Sequence, residues 1–394
     1  MVNLWFTQKD LRYRWADVKK EVWDDMEEYL KLSAKRLLEE SLKVEQQHHL
    51  GAGHYQRTAK RRNYRNGYYS RQVVWKLGVL SDVLVPRNRS GVYQSAILER
   101  YKRFGGSFDR HVLKLFTLGL ATRRVERFFT DFFGEYGIGA QTVSDILKQV
   151  SAELQEYRNR KLSDDVRYLY LDGLYLPIRG ALKRKYVLLF ALAEYTDGRR
   201  EIVDFRVATS EKAIHWQAFL DGLYQRGLKG KQLQLVVTDG AAGLIDAVRT
   251  VYGFVPIQLC WVHRQRNLIG YLKHRSHRKP ICADAASIFQ ADSRDLALKR
   301  LREFRRKWHP KEPRAVRIFL KDIELSLSFY GQPKARRKQL GTNNLIERQL
   351  REIRRRVRLI DSFRDEQSCE RIIFTQVKEL NQKLKPNPNS QFTQ

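Results

Sequence analysis

Short apolar segments that are rich in strand-forming residues occupy the middle of the chain. The first, residues 166–178, is too short for a long helix, and Asp172 interrupts it. A lone carboxylate in the middle of an apolar strand is costly unless it is paired, hydrogen-bonded or bound to a cation. We therefore expect residues 166–178 to form the central strand of a mixed sheet, and Asp172 to belong to a metal site.

A strand that ends in an acid recurs downstream. Residues 233–237, LQLVV, lead through Thr238 into Asp239, and a third acid, Glu347, lies on a segment whose apolar residues repeat with the period of a helix. Glu347 is one residue off that apolar stripe, about 100° around the helix, so it can face the strands. Three oxygen ligands of this kind can hold Mg²⁺ and leave positions open for phosphate oxygens.

The predicted elements follow the order βββαβαβ, and the helix that carries Glu347 comes after them. The pattern predicts strands at residues 166–178, 185–195, 201–209, 233–237 and 255–260, and helices at 211–225 and 242–252. Ser210 is the expected N-cap of the first helix. The predicted fold class is α/β, a ribonuclease-H-like core with a mixed five-stranded sheet and flanking helices.

The sequence on either side of this core has helical character. Residues from about 10 to 50 have apolar positions at helical spacing, and they either pack on their own domain or form a dimer contact. Helices at 109–118, 122–133 and 140–158 form either a helix-turn-helix or a plain helical bundle. Residues 261–340 are strongly basic and fit no further strand, so we predict an α-helical insertion into the core.

Positive charge dominates the composition. The chain has 394 residues, with 75 Lys and Arg against 44 Asp and Glu, which gives a formal net charge of +31. The expected partner is a polyanion. Nucleic acid is favoured over a membrane surface because the basic residues are spread through folded segments and interleaved with aromatic ones.

The sequence indicates an intracellular, reducing environment. The N-terminus lacks the pattern of a signal peptide, and the longest apolar stretch, residues 186–193, is far shorter than the roughly 20 residues of a membrane span. We therefore expect a cytoplasmic, nucleoid-associated protein. Three cysteines, an odd number in a long chain, do not suggest a disulfide framework, so reduced thiols are expected.

Two groups of basic residues are candidates for contacts with DNA phosphates. The first lies in a tyrosine-rich segment and the alternating strand pattern after it, for which the alternative is a merely soluble hairpin with charged loops. The second follows Glu347 on its helix, on the Glu347 side rather than on the apolar stripe. The candidates are Arg57, Lys60, Arg61, Arg62, Arg65, Arg87 and Arg89 in the first group, and Arg351, Arg354, Arg355 and Arg358 in the second.

An ordered set of motifs extends from about Tyr64 to Arg358. The motifs are YRNGYYSR, LVPRNRSG, LDGLYLPIR around Asp172, VTDGAAGL around Asp239, QLCWVHRQRN, and TNNLIERQLREIRRRVR around Glu347. With these motifs the sequence resembles the Mutator-like transposases and their bacterial insertion-sequence relatives. It departs from them at Asn343, where relatives often have a second threonine.

The resemblance implies roles for particular residues and regions. It makes Asp172, Asp239 and Glu347 the acidic triad, Cys260 and His263 the family's Cys-x-x-His pair, and Arg266 and Asn267 the polar pair that follows. The regions would be an N-terminal helical region (1–50), a DNA-binding region with a basic hairpin (51–160), the catalytic core (161–260 and 341–380), the α-helical insertion (261–340) and a disordered tail (381–394).

The resemblance also implies a reaction. The expected protein is a DNA transposase that binds terminal inverted repeats and target DNA as a homodimer or higher homo-oligomer. Two Mg²⁺ ions, or Mn²⁺ as a substitute, about 3.5 to 4 Å apart would activate a water and then the freed 3′-OH for strand transfer. The alternatives are a ribonuclease-H-like nuclease or resolvase, and a domesticated DNA-binding protein without catalysis.

Two interpretations of the Cys-x-x-His pair remain open. Cys260 and His263, together with His274, His277 and Cys282, offer enough sulfur and nitrogen ligands for a tetrahedral zinc. The surrounding run is rich in Lys and Arg, which opposes a bound cation. We therefore favour a structural role, in which Cys260 packs at the end of a strand and His263 holds the start of the insertion beside Asp239.

Overall fold

The computed structural model describes residues 11–75, 78–91, 93–98, 108–117, 120, 122–133, 139–176, 186–358, 363 and 365–384. The chain divides into two compact units. The first comprises Met1–Phe116 and Leu120–Ile146, and the second Thr117–Gly119 and Leu147–Gln394. Each unit has its own cluster of buried apolar side chains.

The first unit pairs a long helix with a β-hairpin. Helix α1 is Leu11–Leu50, and strands β1, Arg65–Trp75, and β2, Gly78–Asn88, are antiparallel. Leu42 of α1 is buried among the inward-facing valines of the hairpin. The structure thus has the helix and the hairpin that the hydrophobic pattern predicts.

Shorter helices follow the hairpin. They are α2, Phe108–Thr117, α3, Thr122–Phe133, and α4, Ala140–Asn159, in agreement with the predicted helices. Most of the link between α3 and α4, residues 134–138, lies outside the described residues. The choice between a helix-turn-helix and a plain bundle therefore stays a prediction.

A five-stranded sheet forms the centre of the second unit. Its strands are β3, Val166–Leu176, β4, Tyr186–Tyr195, β5, Arg200–Ala208, β6, Leu235–Thr238, and β7, Ile257–Leu259. Their order is β5-β4-β3-β6-β7, with antiparallel pairing from β5 to β3 and parallel pairing from β3 to β7. The mixed five-stranded sheet is confirmed, and the predicted strand residues 177, 178 and 185 lie outside the described residues.

Helices α5, Ala213–Gln225, and α6, Ala242–Val251, bury apolar side chains in the same cluster as one face of β3. Leu169 and Leu171 belong to that face. Because successive side chains of a strand alternate between faces, Asp172 points to the other face. Helix α12, Asn344–Val357, packs against β3 and brings its own buried stripe to the sheet.

The start of α5 differs from the prediction. The N-cap is Lys212, in extended conformation and without a side-chain cap bond, and the helix begins at Ala213. Ser210 as the N-cap is therefore wrong. The backbone of Lys212 is extended, and the backbone of residues 211–213 packs closely against Gly243 of α6.

Residues 261–340 form helices, and no strand occurs among them. The α-helices are α7, Trp261–Gly270, α8, Arg278–Phe289, α9, Arg294–Trp308, α10, Pro313–Leu320, and α11, Lys334–Leu340, with short 3₁₀ turns at Arg275–His277, Ile323–Ser326 and Ser328–Gly331. The helical character predicted for this segment is confirmed.

A buried carboxylate ties the end of this helical segment to the sheet. Glu194 of β4 accepts hydrogen bonds from Arg200 at 2.9 Å and from Arg336 of α11. Only residues 341–343 separate α11 from α12. The pairing of Glu194 with Arg336 therefore helps to fix where the Glu347 helix begins.

The last described element is helix α13, Glu366–Leu384, which packs against β5. It includes residues 381–384, so their assignment to a disordered tail is wrong; residues 385–394 lie outside the described residues. Among the helices that the structure describes, none is long and apolar enough to cross a membrane.

Candidate active site

Asp172 lies in the middle of the central strand and is 8% exposed. Its Oδ1 accepts a hydrogen bond of 2.8 Å from the backbone N–H of Gly173. The pKa of Asp172 is well above its ordinary value, first because burial disfavours the charge and then because the carboxylate of Asp239 repels it; Glu347 and Glu211 add to that repulsion. Asp172 therefore lies close enough to the other three carboxylates to interact with their charges.

Strand pairing places the second acid beside the first. In the parallel pair β3 and β6, Leu171 lies opposite Thr238, so the next residues, Asp172 and Asp239, follow side by side. Asp239 Oδ1 accepts hydrogen bonds from the Ala241 N–H at 3.1 Å and from the Thr238 hydroxyl at 3.3 Å. Gly240 takes φ of 102°, which turns the chain away immediately after the acid.

Glu347 lies in the first turn of α12 and contacts the Cys-x-x-His pair. Its Oε1 is buried without a hydrogen-bond partner and lies 3.5 Å from His263 Nδ1, which is also buried without one. Cys260 Sγ, His263 and Glu347 offer donor atoms that all lie within 4.8 Å of one another. His263 therefore lies against the third acid, and its Nε2 is in turn 3.4 Å from Arg266 Nη1.

Cys260 joins the end of the sheet to the start of α12. Its N–H donates to the Thr238 carbonyl at 2.8 Å, and its buried sulfur accepts from the Asn343 N–H at 3.3 Å. Burial raises the pKa of the Cys260 thiol. Asn343 is fully buried at the N-cap of α12 but makes no side-chain cap bond. These contacts agree with a structural role for Cys260.

The wider zinc set, which was the alternative to a structural role, is not brought together in the structure. His277 Nδ1 is 2.8 Å from the buried carboxylate of Glu312, which also accepts the backbone N–H groups of Lys273 and His274. Cys260 and His263 have donor atoms within 4.8 Å of each other and of Glu347, and His274, His277 and Cys282 do not belong to that group. Cys282 is not part of it, because proximity along a basic segment does not bring side chains together in space.

Glu211 is a fourth acid of the site that the sequence analysis missed. Its Oε2 accepts a hydrogen bond of 3.3 Å from Tyr175, and its Oε1 lies where a β-carbon of residue 173 would be. Burial and the charge of Asp239 raise the pKa of Glu211. The glycine that follows Asp172 was the available signal, because a strand glycine often marks the close approach of another group.

The basic residues of the first unit that are candidates for DNA contacts differ from one another in exposure and in their neighbours. Arg61 and Arg89 both lie over the Tyr64 ring, at 5.3 and 5.9 Å, and Arg87 lies 4.9 Å from the Tyr69 ring. The exposed members are Arg57, Lys60, Arg62, Arg87 and Arg89. Arg65 is only partly exposed and donates to the carbonyls of Gly53 and Ala52, so it supports the loop before the hairpin.

The candidate DNA contacts of the second unit are exposed. Arg266 and Asn267 are exposed on α7, and Arg351, Arg354 and Arg355 are exposed on α12, where Arg358 is the C-cap. Arg355 pairs with Glu352 at 2.9 Å within the same helix. Arg266 lies beside His263, which contacts Glu347, and Arg351 follows Glu347 by one helical turn.

Comparisons with known proteins identify the family. The chain matches the family model described as "Transposase, Mutator family" over residues 7–386. The chain therefore belongs to the Mutator family of transposases, as the motifs indicate.

The chain is similar to the transposase for insertion sequence element ISRM5 of Rhizobium meliloti, with 31% identity over 86% of this chain and 84% of the relative. It is 30% identical to the transposase for IS905 of Lactococcus lactis, over 94% and 93% of the two chains. A third relative, the transposase for IS406 of Burkholderia multivorans, is 33% identical over 88% of each chain.

Proposed function

We propose that the protein is the transposase of a mobile insertion element, and that Asp172, Asp239 and Glu347 form its catalytic site for DNA strand cleavage and strand transfer. It would bind the terminal inverted repeats of the element and the target DNA as a homodimer or higher homo-oligomer. Membership of the family and the names of the relatives support the class of reaction. The observation that carries the assignment of the site is the register that sets Asp172 beside Asp239 below the Glu347 helix.

The topology of the sheet supports a ribonuclease-H-like core. Three antiparallel strands, β3 to β5, precede two parallel strands, β6 and β7, and the helices α5 and α6 lie between them along the chain. This is the order expected from the sequence for such a core. The first acid then falls on the central strand and the second at the end of its parallel neighbour.

The residues of the site fit Mg²⁺. All of the ligands in the proposed triad are carboxylate oxygens, which are the ligands that Mg²⁺ prefers. Glu347 Oε1 is buried without a hydrogen-bond partner, and burial, followed by repulsion from Asp239, raises the pKa of Asp172, a cost of its charge that a bound cation would relieve. When bound, two Mg²⁺ ions would supply Lewis acidity towards the scissile phosphate.

The side chains of the site have separable roles. Asp172 lies beside Asp239 on the neighbouring strand and interacts electrostatically with Glu347, so it is the residue suited to bind both ions. Asp239 is held by the Ala241 N–H, and Glu347 lies in contact with His263, so each is oriented before substrate binds. The exposed arginines of α12 can bind the DNA phosphates beside the site. The mechanism needs no covalent protein intermediate.

The experiment that tests this function uses the purified full-length protein and a plasmid that carries the inverted repeats bounding its gene. We expect cleavage at the repeats and joined products in Mg²⁺, neither of them in excess EDTA, and neither with scrambled repeats. Metal-dependent cutting without sequence preference or joining would favour the nuclease alternative. Specific binding of the repeats without any cleavage would favour a non-catalytic DNA-binding protein.

A prediction concerns the arginines on α12. Because each phosphate contact releases counterions, log K against log salt concentration slopes by about −0.9 per contact. The variant Arg354→Ala/Arg355→Ala should therefore flatten that slope by about 1.8, measured by fluorescence anisotropy across a salt series. A matched control that loses the same charge is Arg294→Ala/Lys334→Ala, since both residues are exposed and paired with acids on the insertion. An equal change in both variants would place Arg354 and Arg355 away from the DNA.

A further inference from the structure

We propose that Glu211 is a fourth carboxylate ligand of the metal centre, an inference that rests on the proposed function of Asp172, Asp239 and Glu347. Glu211 lies in the short extended link between β5 and α5. It is two residues before the first residue of α5, and Lys212 between them has φ of −67° and ψ of 152°. The link thus presents Glu211 before the chain turns into the helix.

Two glycines make room for Glu211, and each follows one of the aspartates. A β-carbon at residue 173, immediately after Asp172, would collide with Glu211 Oε1. A β-carbon at residue 243, in the turn after Asp239, would lie 2.6 Å from the backbone oxygen of Glu211 and 2.7 Å from the Ala213 nitrogen. Real β-carbons do not approach other atoms so closely. Gly173 therefore leaves room for the carboxylate of Glu211, and Gly243 leaves room for the backbone that carries it.

One hydrogen bond, from Tyr175, orients the side chain of Glu211. Tyr175 donates to Oε2 at 3.3 Å, while Oε1 lies against the Cα of Gly173, next to Asp172 in the chain. Among the residues that the structure describes, neither an arginine nor a lysine forms an ion pair with Glu211. Glu211 also forms no cap bond at the start of α5. Within the described part of the chain, its carboxylate therefore has neither the cation nor the helix end that usually accounts for a half-buried acid.

Charge balance supports a role towards metal ions. The carboxylates of Asp172, Asp239, Glu347 and Glu211 interact electrostatically in one site, with four negative charges when all are ionised. Two divalent cations carry four positive charges, so Glu211 completes the neutralisation that a triad leaves one charge short. Like charges held this close are unfavourable without a cation. A site with four acids therefore binds two ions more tightly than a site with three.

The experiment is a titration of the full-length protein with Mn²⁺, followed by electron paramagnetic resonance of the free ion and by calorimetry. We expect wild type to bind two ions and Glu211→Gln to bind the weaker one at least tenfold less tightly, with thermal unfolding in EDTA close to wild type. The matched control is Asp246→Asn, which removes an exposed acid from α6 and should leave both affinities unchanged. Asp239→Asn is the reference for loss of a triad ligand.

A second arm tests the geometry independently of charge. Gly173→Ala should weaken Mn²⁺ binding in the presence of Glu211, because the added methyl displaces Oε1, but should cause little further loss in the Glu211→Ala background. If Glu211→Gln binds both ions like wild type while Asp239→Asn loses one, the proposal for Glu211 is overturned and the proposed triad is still supported. If Asp239→Asn also binds both ions like wild type, the proposed metal site itself is overturned.

Discussion

Asp172→Asn is expected to lower the rates of strand cleavage and joining by at least about a thousandfold, while DNA affinity changes little. Asp172 lies beside Asp239 on the neighbouring strand, and asparagine keeps the shape and the acceptor for the Gly173 N–H but removes the negative charge. The measurement is cleavage of labelled element ends in Mg²⁺, with anisotropy for binding. Cleavage within tenfold of wild type would remove Asp172 from the catalytic site.

The same substitution should stabilise the metal-free protein. A raised pKa in the folded state means that folding disfavours the charged form of Asp172, so the neutral amide removes a cost at neutral pH. We expect a higher thermal midpoint for Asp172→Asn than for wild type in EDTA. Added Mg²⁺ should raise the midpoint of wild type but not that of the variant. A lower midpoint in EDTA would show that the lost activity comes from damaged folding.

Gly243→Ala is expected to reduce activity by about a hundredfold or more and to destabilise the fold by about 1 to 3 kcal/mol. The added methyl would lie within 3.0 Å of backbone atoms of Glu211, Lys212 and Ala213, and backbone cannot move aside as a flexible side chain can. Either the start of α6, which follows Asp239, or the Glu211 link must shift. The measurements are denaturant unfolding and end cleavage.

The control for this substitution is Gly270→Ala, at the last residue of α7. A β-carbon there meets nothing within 4 Å, and the residue is helical, so alanine should be neutral or slightly stabilising. Near-wild-type behaviour of both variants would show that the close packing of the Glu211 link against α6 does not matter for the site.

The three acids of the proposed triad could be predicted from the sequence because each has a strong local signal. Asp172 interrupts an apolar strand, and Asp239 ends one. Both stand out because burying a carboxylate in an apolar strand is costly. Glu347 could be predicted from the helical period of its segment, because it lies beside the apolar stripe that α12 buries. The local sequence pattern was sufficient to predict the two aspartates, because the pairing of their strands then brings them together.

Glu211 could not be found in this way, because its role depends on a packing contact between distant segments. Locally, Ser210 and Glu211 look like the cap and first residue of a helix, and this is the pattern that the sequence analysis followed. In the structure the backbone of residues 211–213 instead packs against Gly243, and the helix begins at Ala213. The contact of His263 with Glu347 was missed for the same reason, since 84 residues of chain separate them.

Charge along the sequence predicts a partner better than it predicts individual contacts. Arg65 belongs to a basic run but donates to two backbone carbonyls. His277, in another basic run, contacts the buried carboxylate of Glu312. A basic side chain that satisfies buried acceptors supports the fold rather than a ligand. Exposed positions such as Arg354 are therefore the better candidates for DNA contacts.

Anomalous diffraction from crystals of the full-length protein soaked in Mn²⁺ tests the central claim most directly, because it locates the ions themselves. We predict two anomalous peaks in direct contact with carboxylate oxygens of Asp172, Asp239 and Glu347. Fully occupied Mn²⁺ at another position, with no peak at these three carboxylates, would contradict the account.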